Sequence, residues 1–414
     1  YVEPCKRFQE LLGFGGAFTE AAAHTLCRMS RTRRAEVLHA YFHPREGHGY
    51  RLGRTHINSC DFALGNYAYC EEEGDHELAT FSIERERKLV IPLIRDAFEM
   101  AGGAFPLFSS PWSPPAWMKT TGRMNDGGKL REDCRDAWAR YYVRYIEEFA
   151  AEGIPIWGLT VQNEPAATQT WDSCVYTAEE ERDFVRDHLG PALEQAGLSH
   201  VKLMVWDHNR DEMVHRAGTV FDDPAASRYV WGTAFHWYVG DHFDNVRLVH
   251  DLYPDKHLVF SEGCQEGGPH LGEWGLAERY ARSIIHDINN WTEAWTDWNL
   301  VLDETGGPNH VGNLCSAPII CDTRTDEVLY QSSFYALGHF SRYMKAGAER
   351  VLVSSETDHL LATGARNPDG TTAVVVANLG DEAVDYALHV PGNLAAPVSI
   401  PGHAIHTLVV PAVK

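Results

Sequence analysis

Eight short apolar runs recur along the chain, each followed by polar or aromatic residues and then a helical pattern. They are LLGFGGAFTE (11–20), YRLGRTHIN (50–58), AFPLFSSPWSPP (104–115), IWGLTVQNEP (156–165), VKLMVWDHN (201–209), VWGTAFHWY (230–238), KHLVFSEG (256–263) and EAWTDWNLVLD (293–303). Such runs, alternating with helical patterns, read as strands of a parallel sheet. Between them lie amphipathic segments. DCRDAWARYYVRYIEEFAAEG (133–153) carries apolar residues at helical spacing and ends in Gly153. TAEEERDFVRDHLGPALEQAG (177–197) opens with Thr177 and places Glu180 three residues on, the reciprocal pair of a capping box. Eight strand–helix units predict an α/β fold of the (β/α)8 TIM-barrel type. An open doubly wound sheet is the rival. The count of eight argues against it, and so does chemistry spread over many strand ends instead of one glycine-rich crossover.

After a helix near 332–344 the pattern changes to short strands and turns: ERVLVSSE, LLATGARNPDGTTAVVVANLGDEAV, DYALHV and AIHTLVVPAV. NPDG at 367–370 reads as a hairpin turn. The expected organisation is a catalytic barrel over 12–345 and a smaller, sandwich-like all-β side domain over 346–414, joined by residues 1–11. At about 70 residues the tail is small for independent stability, so it should pack on the barrel.

Composition narrows the chemistry. With 414 residues, 44% of them hydrophobic, the chain can bury a large core. No apolar run is long enough to span a bilayer, and no signal peptide is visible. Acidic residues outnumber basic ones 58 to 36, a net charge of −22 that repels nucleic acid and anionic membranes and suits a neutral substrate. Twelve Trp, 17 Tyr and 17 Phe supply faces on which sugar rings can stack, although most large aromatics serve the core. The nine cysteines are odd in number and form no C-x-x-C, so neither a disulfide framework nor a zinc ribbon is signalled. Scattered thiols favour a reducing, cytoplasmic compartment slightly; a leader trimmed before Tyr1 would leave a secreted or periplasmic location open. The sequence carries no signal for an oligomeric state.

Glu164 follows the fourth predicted strand and Glu262 the seventh, in VFSEG. Strand ends on one barrel face converge on the axis, so the two carboxyls can flank one bond of a bound substrate. Glycoside hydrolysis needs such a pair, one to protonate the leaving oxygen and one to attack the anomeric carbon or activate water. Other strand ends add hydrogen-bonding or stacking groups: Asp61, Trp112, the trio Asp207-His208-Asn209, the trio His236-Trp237-Tyr238, and Trp295, Asp297 and Trp298. No H-E-x-x-H, G-x-S-x-G or P-loop is present. His56, His208, His236 and Asp207 could gather as metal ligands at the mouth, but no ligand pair has metal spacing, so no metal and no cofactor is expected.

The stretches GFGGAFTEAA, NSCDFALGNYAY, SSPWSPPAWMKTTGRMNDGGKL, VQNEP, FHWY, FSEG and AWTDWNL…GGPNHVGNLCSAPIICD carry a resemblance over nearly the whole chain. The chain resembles glycoside hydrolase family 30, clan A, in its glucosylceramidase-like branch. The resemblance implies a (β/α)8 barrel with a side β-structure and a retaining mechanism. It implies Glu164 as acid/base and Glu262 as nucleophile. It places Asp61, Trp112, Asn163, Tyr238 and Trp298 around the sugar, with Asn313 and His236 near it and Arg54 behind, orienting carboxylates. Asn163 would bond the sugar 2-OH. Repulsion between the two carboxyls should raise Glu164 and keep it protonated, while Tyr238 could keep Glu262 ionised. The implied substrate is a neutral terminal β-D-glucoside, with β-xylosides, β-fucosides or β-1,6-glucan as alternatives within the family. The alternative from a different class is a non-catalytic sugar-binding protein on a hydrolase scaffold, which would predict loss of one carboxylate.

Overall fold

The computed structural model describes residues 1–392 and 395–412; positions 393–394 and 413–414 of the expected side domain lie outside the described residues. The first strand, β1 (Val2–Leu11), is not part of the barrel. The barrel is closed by eight parallel strands: β2 (Gly13–Phe18), β3 (Leu52–Ile57), β4 (Leu107–Pro111), β5 (Gly158–Thr160), β6 (Lys202–Asn209), β7 (Gly232–His236), β8 (His257–Glu262) and β9 (Ala294–Asn299). One barrel strand falls in each of the eight apolar runs. These strands are buried on both faces, which is why they read as continuous apolar runs and not as alternating ones. Leu52, Phe108, Met204, Ala234, Val259 and Ala294 fill the barrel interior as one cluster. A larger cluster joins the outer strand faces to the helices.

The run 293–303 holds two strands, because β10 (Val301–Asp303) leaves the barrel after Asn299. It pairs with β11 (Ile319–Asp322), which pairs with β12 (Glu327–Tyr330). The side domain has β1 at the edge of a five-stranded sheet with β13 (Ala348–Val353), β14 (Leu360–Arg366), β15 (Thr372–Asn378) and β18 (Ala404–Val410). Over it lies a hairpin of β16 (Val384–Leu388) and β17 (Ala396–Ile400). Asn367–Gly370 closes the β14–β15 hairpin.

Local signals act as their chemistry dictates. The helix Arg135–Ala151 stops where Gly153 takes φ +77°, a left-handed turn that costs glycine little. The Thr177–Glu180 capping box is complete, with Glu180 Oε2 accepting from Thr177 N (2.8 Å) and Thr177 Oγ1 from Glu180 N (3.2 Å). The segment 177–197 is not one regular helix, however. Ala178–Phe184 and Gly190–Gln195 are α-helical, and Val185–Leu189 between them is π-helical. Pro191 offers no N–H, and its ring crowds the carbonyl four residues back, so the preceding turn widens.

Candidate active site

The site is built where the C-terminal ends of β3 to β9 meet. Strand β5 stops at Thr160, but three backbone bonds carry the next residues forward. Val161 N donates to Met204 O (3.1 Å), Asn163 N to Pro111 O (2.9 Å) and Glu164 N to Asp207 O (3.0 Å). The chain is thus clamped between β4 and β6 while Glu164 holds φ +48°, a left-handed conformation unusual for a glutamate. Trp206 (φ +73°) and Asp207 (φ +50°) share this feature where the β6–β7 register shifts. A bulge of this kind re-aims a side chain, here the Asp207 carboxylate, into the barrel.

Asp207 is the hub of the buried polar network. Its Oδ2 accepts from Arg54 Nη2 (2.8 Å), Ser110 Oγ (2.9 Å) and Thr160 Oγ1 (2.6 Å). Its Oδ1 accepts from His236 Nε2 (3.0 Å) and Ser261 Oγ (2.6 Å). Burial works to raise this carboxyl, yet Arg54, His236 and Ser261 prevail and hold it well below the usual range. Arg54 is fully buried; Nη1 donates to Glu262 Oε2 (2.5 Å) and Nη2 to Asn163 Oδ1 (2.9 Å). Its guanidinium lies 4.8 Å from the ring of Trp112 and 5.4 Å from that of Trp298, and these two rings stack on each other at 5.0 Å. One cation therefore fixes a carboxylate, an amide and two aromatic faces.

Tyr238 Oη donates to Glu262 Oε1 (2.8 Å), so both oxygens of Glu262 are engaged. Burial pushes Glu262 up and Glu164 adds to that push, while His236, Arg54 and Tyr238 oppose it. Glu164 lies beside two histidines: His236 Nδ1 is 3.5 Å and His208 Nε2 3.7 Å from its Oε1, and Gln169 Nε2 donates to Oε2 (3.3 Å). Burial would raise Glu164, but His208 and His236 draw it down to about 2. Burial likewise works against a charged His236, yet Glu262, Asp207 and Glu164 push it up to about 9. This differs from the arrangement expected from carboxyl repulsion alone. Repulsion within the Glu164–Glu262 pair is opposed by the two histidines beside Glu164, so the net push on Glu164 is downward and that on His236 upward. Asp61, which takes bonds from Asn309 (3.2 Å) and Asn313 (3.3 Å), is pushed well above its usual value by burial and by Glu262.

The cavity has a volume of about 340 Å³. Asp61, Trp112, Asn163, Glu164, Tyr238, Glu262, Trp298 and Asn313 all line it. Two other predicted residues lie behind the wall. Arg54 is at the rear, as expected. His236, expected near the sugar, is fully buried between Asp207 and Glu164 and does not face the cavity. Its strand places it behind the carboxylates because the β7–β8 register shifts at this residue, aligning it with Glu262. Sequence reasoning missed Gln169, Trp171 and Glu266, which also line the cavity. They sit on loops with no periodic signal. Asp207 was legible as a strand-end acid but not as the hub.

Of the four residues considered as metal ligands, His56 lies apart. Its Nδ1 contacts Asn58 O (2.7 Å) and its Nε2 accepts from Glu20 N (3.2 Å). A different trio, Glu164, His236 and Glu262, brings one donor atom each within 4.8 Å of the others. A cation there would share Glu262 with Arg54 and displace the proton that Glu262, Asp207 and Glu164 favour on His236, an unfavourable pairing.

A parallel barrel whose mouth presents two carboxyls, two stacked indoles and buried amides defines a glycosidase. The family comparisons agree. Residues 11–344 match the glycosyl hydrolase family 30 TIM-barrel domain and residues 347–408 the glycosyl hydrolase family 30 beta sandwich domain. The chain belongs to glycosyl hydrolase family 30. It is 38% identical to the lysosomal acid glucosylceramidase of Mus musculus over 426 residues, spanning 98% of this chain and 82% of that protein. The crystal structure of SrfJ from Salmonella typhimurium superposes with a TM-score of 0.95 at 39% identity, over 99% of this chain and 91% of that one. The endo-beta1,6-glucanase BT3312 follows at 0.89 and 28% identity, over 98% and 92%.

Proposed function

We propose that the chain is a retaining β-glycosidase that releases a terminal β-D-glucosyl unit, with Glu262 as nucleophile and Glu164 as acid/base. The observation that carries this reading is the placement of both carboxyls on one small cavity, with oxygens of the two within 4.8 Å. Retaining enzymes hold their carboxyls about 5–5.5 Å apart, whereas inverting ones need about 6.5–9.5 Å for a water. The cavity lies at the small end of ligand sites, roughly 300–1,000 Å³, which suits one sugar ring and the first atoms beyond it. Glucose as the sugar is supported by the likeness to glucosylceramidases.

In this reading Glu262 enters ionised, fixed by Arg54 and Tyr238. One proton belongs to the Glu164–His236 pair. As the glycosidic bond breaks, that one proton passes from His236 Nδ1 through Glu164 to the leaving oxygen, which leaves Glu164 as the carboxylate. Glu262 Oε forms an ester with the anomeric carbon, which removes its negative charge. Water then attacks that carbon and its proton passes to Glu164, which releases Glu262 as the carboxylate. Asn163, held by Arg54, grips the sugar 2-OH, a bond that strengthens in the transition state.

The test is a set of initial rates on nitrophenyl β-glucoside, β-xyloside, β-fucoside and β-galactoside, with the anomer of the released sugar followed by NMR. A glucoside preference with β-anomer released first supports the reading; an α-anomer first would overturn retention. A second reading, cleavage within β-1,6-glucan, draws on the likeness to the solved endo-glucanase. It predicts weak rates on all nitrophenyl monosides and strong ones on the polymer. A chelator should leave all these rates unchanged, and a loss on chelation would point instead to the Glu164–His236–Glu262 trio as a metal site.

A further inference from the structure

Cys264 stands two residues after Glu262, and Cys315 lies in the loop before β11. The two loops are zipped together by the backbone. Ser316 N donates to Gln265 O (2.7 Å), Gly267 N to Leu314 O (3.0 Å), and Glu266 and Cys315 form an antiparallel bridge. This pairing brings the two thiols into one buried cluster. Both also line the cavity that holds Glu164 and Glu262. Cys264 Sγ is 3.6 Å from Tyr238 Oη, the same hydroxyl that donates to Glu262. Cys315 Sγ contacts the carbonyl of Asn313, whose side chain holds Asp61. The hydrolysis mechanism uses neither thiol.

We propose that Cys264 and Cys315 are an oxidisable thiol pair in the wall of the sugar cavity, which a hydroperoxide closes to a disulfide that shuts off turnover. The Cys315 sulfur, as thiolate, attacks the peroxide O–O bond and becomes a sulfenic acid as the leaving oxygen departs, for hydrogen peroxide as water. Cys264, as thiolate, attacks that sulfur, forms the S–S bond and expels the second water. Two thiols and one hydrogen peroxide become one disulfide and two waters. Each thiol is about 2% exposed, so the peroxide arrives through the cavity, where it is far smaller than a sugar. Closing the sulfurs to about 2.05 Å takes Cys264 off Tyr238 and draws the Asn313 loop toward Glu262. Tyr238 Oη then keeps Glu262 alone as its partner, and the cavity narrows around the nucleophile.

The experiment treats the whole chain with a small excess of hydrogen peroxide, then measures kcat/KM on nitrophenyl β-glucoside and maps peptides without reduction. The expected result is a Cys264–Cys315 linked peptide lighter by two hydrogens, a fall in kcat/KM of about tenfold or more, and recovery with dithiothreitol. A saturating competitive sugar inhibitor during treatment should slow the linkage. The Cys315→Ser variant should keep its own starting rate through the same treatment. A rate loss without the linked peptide, a linked peptide with an unchanged rate, or equal loss in Cys315→Ser would each overturn the proposal. Should that variant fail to fold, Cys264→Ala serves the same purpose, and the mapping on the unaltered chain needs no variant. The linkage rests on no assumption about substrate. If the glucoside is not turned over, the glucosidase reading fails while the peptide map still decides whether the pair closes.

Discussion

The carboxyl pair sets the sharpest expectations at the scale of single residues. Glu262→Gln keeps the shape of the site but cannot form the ester, so turnover should fall by about four orders of magnitude or more on every substrate. Glu164→Gln should separate substrates by leaving group. Aryl glycosides with acidic leaving groups, which need little protonation, should lose far less kcat than alkyl glucosides. Equal losses on both would remove Glu164 from the acid role. His236 gives a pH signature. It is pushed up to about 9, so the proton of the Glu164–His236 pair is present below that pH and lost as the pH rises through it. The basic limb of kcat/KM should reflect this loss. In His236→Gln the proton falls to Glu164 alone, and the limb should move to lower pH, toward the carboxyl range. An unmoved limb would exclude the pair. Much of this site could be read before the structure: Glu164, Glu262, Asp61, Trp112, Tyr238 and Trp298 each sit at or just beyond an apolar run. What could not be read was who touches whom. That Asp207 binds Arg54, Ser110, Thr160, Ser261 and His236 at once depends on six strands meeting, and no local pattern records it.

The strands are the most legible elements because burial on both faces demands continuous apolar sequence. Less visible were β10 to β12, three- and four-residue strands too short for a period, and the π-helical stretch at Val185–Leu189. Glycine positions test the element scale from two sides. A Cβ on Gly15 would stand 1.9 Å from the Leu52 carbonyl oxygen, where β2 pairs with β3. Backbone is the obstacle, so the barrel must open to admit it. Gly15→Ala should lower stability by about 3 kcal/mol, the upper part of the overpacking range. Gly275, the first residue of the helix Gly275–Asn289, has open space where a methyl group would stand and an ordinary φ. Gly275→Ala should raise stability by about 0.4–1 kcal/mol, through a less flexible unfolded chain. Urea midpoints measure both. The same sign for the two variants would contradict the packing described at the β2–β3 seam.

At the scale of the whole molecule, the side sheet is fastened to the barrel by buried polar groups from both ends of the chain. Arg350 on β13 donates through Nε to Gln9 Oε1 (2.7 Å) on β1. Gln9 Nε2 donates in turn to Ile288 O (2.7 Å) and Thr292 O (3.1 Å), at the end of the helix Gly275–Asn289. Asn289 on that helix donates to Ala362 O (2.9 Å) and accepts from Thr363 Oγ1 (2.8 Å), both on β14. The Arg350 guanidinium lies 3.7 Å from the ring of Phe8 and 5.1 Å from that of Trp291, and no carboxylate pairs with it among the described residues. Burial lowers it to about 10, so it stays charged at neutral pH and is held by an amide and two aromatic faces. Such a seam couples the two units, because neither can open without breaking the bonds of Gln9 Nε2 to Ile288 O and Thr292 O and those of Asn289 to β14. Unfolding should therefore be one transition, with tryptophan fluorescence, which reports the barrel, and far-ultraviolet circular dichroism coinciding. Arg350→Ala removes the stacked cation and leaves Gln9 Oε1 without its donor, which should cost about 2–4 kcal/mol. If the seam is what makes the molecule cooperative, this variant should also pull the two probes apart, with the all-β unit losing structure first. Coincident transitions at an unshifted midpoint would mean that the sheet is held on by its apolar face alone.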